Sequence, residues 1–178
     1  MDPCGPGGYN PSGVLGIGTT ESKTLPTQVL AGDKWTSVAA RYAVGLAVNS
    51  SGALWAWGSG YLGDGASGIR AAPVAIQASE TWNQIAGSFH ILGIKSNGSL
   101  WDWGGGQGGA LIGETPVVVP SVPVPVKPTE RWQSVAVGSM NMVAIREDGT
   151  LWGWGSNSFG GLGAGAWREV VGGDVWGR

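Results

Sequence analysis

The chain has 178 residues, with 34 glycines, 11 tryptophans and a net charge of −2 made of 10 basic and 12 acidic side chains scattered singly. No basic run is present, which removes the electrostatic footprint of a nucleic-acid binder, and no apolar stretch approaches the ~20 residues of a membrane-spanning helix. The glycines have no period of three, so the chain is not collagen-like, and the tryptophan content argues against disorder.

The first 34 residues read as an arm with a partial unit. Met1-Asp2-Pro3-Cys4 and the glycines after it lack the basic and apolar regions of a secretory signal. The expectation is a cytoplasmic protein or part of a virion. Cys4 is the single cysteine, so neither an intrachain disulfide nor a cysteine-based zinc cage can form. It is a free thiol on a loose arm or a link to another chain. Gly8-Tyr9-Asn10-Pro11-Ser12-Gly13-Val14-Leu15-Gly16-Ile17-Gly18 is a glycine-rich loop. Leu25-Pro26-Thr27-Gln28-Val29 then predicts an outer strand, because proline suits a sheet edge.

Three units with one pattern follow, expected over 35–79, 80–128 and 129–165. The first runs from Trp35-Thr36-Ser37-Val38-Ala39 through Val44–Val48 to Ser51-Gly52 and Leu54-Trp55-Ala56-Trp57-Gly58. The second runs from Trp82-Asn83-Gln84-Ile85-Ala86 through His90–Ile94 to Asn97-Gly98 and Leu100-Trp101-Asp102-Trp103-Gly104. The third runs from Trp132-Gln133-Ser134-Val135-Ala136 through Asn141–Ile145 to Asp148-Gly149 and Leu151-Trp152-Gly153-Trp154-Gly155. A period near fifty residues belongs to blades and solenoids. Ser51-Gly52, Asn97-Gly98 and Asp148-Gly149 between apolar runs predict hairpins with type I′ turns. In Leu-Trp-x-Trp-Gly the two indoles share one face and Leu shares the other with x. Both faces are then apolar, as in a sheet packed between two others, and the tryptophans are expected to be mostly buried.

Trp-x-x-Val-Ala, Asp148-Gly149-Thr150-Leu151-Trp152-Gly153-Trp154-Gly155 and Gly155-Ser156-Asn157-Ser158-Phe159-Gly160-Gly161-Leu162-Gly163-Ala164-Gly165 resemble repeats of the regulator of chromosome condensation family. The resemblance covers residues 8 to about 165. It implies an all-β propeller of four-stranded antiparallel blades, of which that family usually has seven. This chain would hold an incomplete ring of three full blades plus partial terminal units. The family's nucleotide-exchange activity is not carried over, because no residue here matches the elements it depends on.

Other patterns weaken on inspection. Gly58-x-Gly60-x-x-Gly63 and Gly104-x-Gly106-x-x-Gly109 fit a dinucleotide fingerprint, but neither leads into the helix that phosphate binding requires. Asn49-Ser50-Ser51 and Asn97-Gly98-Ser99 match the glycosylation sequon without a secretory signal to support it. His90, the single histidine, is expected to be a strand residue satisfied by backbone groups. Asp102 replaces Ala56 and Gly153 in an apolar strand, so it needs a hydrogen-bond partner or makes a binding contact. Five prolines between Pro116 and Pro128 predict an edge strand, a connector or a ligand for a proline-reading domain. The tail 166–178 restarts the Trp-x-x-Val motif at Trp167 and Val170 and continues to Val175 and Trp176, a partial strand or hairpin.

No nucleophile–base pair, metal set or cofactor motif is visible, so the expected function is a non-enzymatic module for protein–protein interaction and assembly. Its expected partner is itself, as a homo-oligomer, or another protein at the open blade ends. Leu25, Pro26, Val29, Trp167, Val170, Val175 and Trp176 are the expected interface. A structural component of a larger particle, such as a virion decoration or tail protein, and a glycan-binding lectin are the alternatives.

Overall fold

The computed structural model describes residues 8–105, 120–139, 141–155 and 162. Every element among them is a strand: β1 (Trp35–Arg41), β2 (Val44–Asn49), β3 (Leu54–Ser59), β4 (Ile69–Ile76), β5 (Trp82–Gly87), β6 (Ile91–Lys95), β7 (Leu100–Trp103), β8 (Val124–Val126), β9 (Trp132–Val137), β10 (Asn141–Arg146) and β11 (Leu151–Gly155). They form antiparallel sheets in chain order, β1-β2-β3-β4, β5-β6-β7-β8 and β9-β10-β11. The first strand of each sheet lies against that of the next, β1 against β5 and β5 against β9, and the sheets extend outward from them. These are propeller blades in an unclosed array. Pro73 and Pro125 both fall in the outermost strand of their sheet, where a missing N–H costs no ladder bond.

Two cores separate the three sheets. Val44, Leu46, Val48, Leu54, Ala56 and Ile76 of the first sheet meet Trp82, Ile85, Ile91 and Trp103 of the second, with Leu62 between them. Leu92, Ile94, Leu100 and Val126 on the opposite face of the second meet Trp132, Val135, Met142, Ala144 and Trp154 of the third. Room for the indoles comes from glycine. A Cβ at Gly45 would stand 2.3 Å from the Trp57 ring, and one at Gly93 2.6 Å from the Trp82 ring. Burial of the Leu-Trp-x-Trp tryptophans is less complete than the sequence predicts. Trp103 and Trp154 are buried, whereas Trp55, Trp57, Trp101 and Trp152 are half-buried.

The hairpins form where expected but with a different turn. Gly52, Gly98 and Gly149 have φ of 83°, 79° and 83°, while the residue before each is not in the left-handed region. A type I′ turn needs both. Instead each glycine N–H donates three residues back, to the carbonyls of Asn49, Lys95 and Arg146 (2.9, 2.9 and 3.0 Å). That is a type I turn closed by a left-handed glycine, one residue longer than the two-residue form. Side chains explain the choice: Asn97 Oδ1 accepts from Ser99 N–H and Oγ–H, and Asp148 Oδ1 accepts from Thr150 N–H and Oγ–H. Those bonds from Thr150 hold the Asp148 carboxyl below the usual aspartate range. A depressed carboxylate stabilises the fold above its unfolded value, so this contribution is present at neutral pH and lost as acid titrates the group.

Leu25–Val29 is not a strand. It occupies the chain position that Ala72–Ile76 and Val122–Val126 hold in the units that follow, just ahead of a left-handed residue: Leu30, Gln77 and Lys127 have φ of 44°, 46° and 46°. Those two segments pair with β3 and β7, whereas among the described residues no strand lies beside Leu25–Val29. Cys4 and the tail 166–178 lie outside the described residues.

Substitutions separate these effects. Trp103→Ala, at a fully buried indole, should cost about 4 kcal/mol by urea unfolding, and Trp55→Ala clearly less. Gly93→Ala should cost about 2 kcal/mol through overpacking against Trp82. Gly149→Ala meets no atom within 4 Å and should cost only about 1 kcal/mol, from its positive φ.

Candidate functional site: the open faces of the array

Equivalent positions have very different surroundings in the three sheets. Leu46, Val48 and Leu54 of the first sheet are at most 1% exposed, as are Leu92, Ile94 and Leu100 of the second. The corresponding Val143, Ile145 and Leu151 of the third are 36–40% exposed. At the other end, Ile85 and Val135 are buried against the preceding sheet, while their counterpart Val38 is 74% exposed. The first sheet's indole face is covered only in part. Trp57 Nε1–H donates to Val14 O (2.7 Å), and Gly16 packs on the same ring.

Neighbouring sheets are also stitched by polar contacts that recur. Trp82 N–H donates to Gly52 O and Trp132 N–H to Gly98 O, both at 2.8 Å. Ile85 N–H points to Ser37 Oγ (3.5 Å), and Val135 N–H donates to Gln84 Oε1 (3.2 Å), whose Nε2–H returns to Val135 O (3.1 Å). At the two ends the matching groups are Gly149 O and Ser134 Oγ on the third sheet, and the N–H groups of Trp35 and Val38 on the first. The two open faces thus carry groups equivalent to those that meet at the two internal contacts.

Of the residues singled out from sequence, Leu25 is 76% exposed, Pro26 is exposed and Val29 is half-buried; Leu25 and Pro26 border a shallow pocket with Leu15, Lys23 and Thr27. Trp167, Val170, Val175 and Trp176 fall outside the described residues. Sequence reasoning missed Val38, Val143, Ile145 and Leu151. The signal was available in the repeat itself, since a terminal unit carries the same apolar face as an internal one.

Asp102 is buried, and its Oδ1 lies 3.2 Å from Nδ1 of His90, also buried. The expectation that His90 is satisfied by backbone groups is corrected: its partner is a side chain. His90 and Asp102 are twelve positions apart, and the β6–β7 hairpin brings them together, because Leu92 stands opposite Asp102 in the ladder. Arg41 joins them from β1. Burial pushes its guanidinium pKa down, the negative charge of Asp102 offsets this, and its Nη1–H donates to Gly104 O. Gly105 lies flat on the imidazole, where a Cβ would come within 2.2 Å. His90 and Asp102 are buried, Arg41 is half-buried, and the cluster ties the second sheet to the first. Asp102→Ala should destabilise by about 3 kcal/mol by leaving buried donors unpaired, and Asp102→Asn by clearly less, both read by thermal unfolding.

The regulator of chromosome condensation (RCC1) repeat model matches residues 132–160. The ultraviolet-B receptor UVR8 of Arabidopsis thaliana is 35% identical over 170 residues, which cover 89% of this chain and 38% of that protein. Human WBSCR16 superposes with a TM-score of 0.77 at 24% identity, covering 92% of this chain and 45% of that one. Prp20p of Saccharomyces cerevisiae, a protein characterised for its binding to Gsp1p and histones, superposes with a TM-score of 0.61 at 27% identity, covering 72% and 32%. The chain spans less than half the length of each of these proteins. With its repeated Trp-x-x-Val and Leu-Trp-x-Trp strands on antiparallel blades, two of four strands and one of three among the described residues, it is an array of repeats of the regulator of chromosome condensation family.

Proposed function

We propose that this chain is a non-enzymatic protein-interaction and assembly module whose open ends join head to tail with a second copy. The observation that carries the reading is the matched pair of exposed faces, Val143, Ile145 and Leu151 at one end and Val38 at the other, where internal equivalents are buried. Apolar faces of this kind on a repeat array mark an interface. Leu25–Val29 has a place in the same joint. Internal outer strands set Ile76 opposite Leu54 and Val126 opposite Leu100, so Val29 of one copy would stand opposite Leu151 of the other. The chain then continues into β1, which would cover the third sheet just as β5 covers the first. With blades over 35–79, 80–128 and 129–165, two chains of three and a half units make a ring of six or seven.

The contact is heterologous, so its two halves can be damaged separately. Val38→Asp and Ile145→Asp should each abolish the oligomer seen by light scattering. Mixing the two variants should restore a one-to-one dimer through the undamaged halves. A wild-type chain that stays monomeric at high concentration, or variants that fail to complement, would overturn the reading; capture of a different blade-bearing protein would replace the second copy with that partner.

A further inference from the structure

The three units share a second device, and in the first unit it lacks one member. In the second unit the Lys95 ammonium sits 3.6 Å over the Trp101 ring and 5.2 Å from that of Trp82, and pairs with Glu80 at 3.2 Å. In the third, the Arg146 guanidinium sits 3.7 Å over Trp152 and 5.7 Å from Trp132, and pairs with Glu130 at 2.9 Å. Each is a cation held between two indoles and one carboxylate. The carboxylate follows a left-handed turn, Glu80 N–H donating to Gln77 O and Glu130 N–H to Lys127 O.

The first unit repeats the frame. Trp35 pairs with Asn49 and Ala47 with Trp55, as Trp82 pairs with Lys95 and Gly93 with Trp101. Asp33 N–H donates to Leu30 O in the equivalent turn, which sets Asp33 where Glu80 and Glu130 stand. The cation's position is taken by Asn49, and Asn49 turns away. Its Oδ1 accepts from Ser51 N–H and Oγ–H and from Ala53 N–H, inside its own hairpin. No ion pair of Asp33 and no cation over Trp35 or Trp55 occurs among the described residues. Trp35 is half-buried, whereas its counterparts Trp82 and Trp132, beneath their cations, are buried; Trp55 is half-buried like Trp101 and Trp152.

We propose that Trp35, Trp55 and Asp33 form a receptor site for a guanidinium group, an arginine side chain presented by a protein partner. Two internal occupants show that the frame accepts a cation on an alkyl stem, and burial against indoles is where such contacts are strongest. Asp33 is one methylene shorter than Glu80 or Glu130, so the bridging group must reach further. The planar fork of arginine does so better than an ammonium, and it stacks on indole as Arg146 does. The site lies on the open face of the first sheet, on the side of Trp35 and Val38, and does not rest on the identity of the protein that covers that face.

The test uses N-acetyl-arginine amide, with the lysine and citrulline amides as controls, followed by NMR shifts of the Trp35 and Trp55 indole N–H groups. It is run on the wild-type chain and on Val38→Asp, so that self-association cannot mask the site. The arginine amide should shift these two indoles in saturable fashion, and citrulline, which has the shape without the charge, should bind about tenfold more weakly. Asn49→Arg should fill the site from within, abolishing probe binding while raising the urea midpoint. Asp33→Asn should weaken binding with the fold unchanged. Citrulline binding as well as arginine, Asn49→Arg binding the probe like wild type, or absence of indole shifts in both backgrounds would each overturn the proposal. A monomeric wild-type chain that still binds the probe would sink the assembly reading and leave this one standing.

Discussion

A sheet of three or four short strands cannot bury both of its own faces, and in this chain the fully buried faces are those laid on a neighbouring sheet. The contact is made by laying the indole-bearing face of one blade on the aliphatic face of the one before. Two features make it fit. Gly45 and Gly93 in the second strands leave flat floors for Trp57 and Trp82, and the Leu–x side of each third strand keeps Leu54 with Ala56, and Leu100 with Asp102, turned the other way. The backbone bonds from Trp82 to Gly52 and from Trp132 to Gly98 then fix the register between sheets, as hairpin turns fix it within one.

How much of this could be read from sequence depends on whether the signal is periodic. Hairpins, strand order and the partition into blades follow from a pattern that recurs three times, so each instance supports the others. The turn type did not follow, because Asn97-Gly98 carries the letters of a type I′ turn while its amide oxygen caps Ser99 and selects a longer loop. Leu25–Val29 carries the letters of an outer strand, and letters do not supply a neighbour to pair with. His90 and Asp102 are isolated positions in the text and become partners only when β6 and β7 are folded together. For Leu25–Val29 and for His90 with Asp102 the missing information is a contact between distant segments, which local propensity does not contain; for the turn it is a side-chain cap that competes with the dipeptide preference.

Variation among the units shows which positions carry weight. Thr150 and Ser99 each receive the N–H of the half-buried tryptophan two residues on, Trp152 and Trp101, at 2.9 Å. The first unit has Ala53 there, and Trp55 Nε1 is buried without a partner. The same unit lacks the cation and exposes Val38. Its losses gather on the face of Trp35, Val38 and Trp55, while its other face keeps the aliphatic pattern of the second blade, with Leu46, Val48 and Leu54 where that blade has Leu92, Ile94 and Leu100.

The difference between the two sides of every blade gives the array a direction. A joint whose halves are unlike has a front and a back, and successive joints repeat the same rotation. Whether repetition ends in a closed ring or continues as a helix is then a question of angle: a rotation that divides a full turn evenly returns to its start, and any other climbs. The volume wedged between blades is filled chiefly by the indoles of Trp82, Trp103, Trp132 and Trp154, and close packing couples that volume to the angle between sheets. Side-chain size in the core therefore bears on the pitch of the array as well as on its stability, and a change of one aromatic ring acts on both.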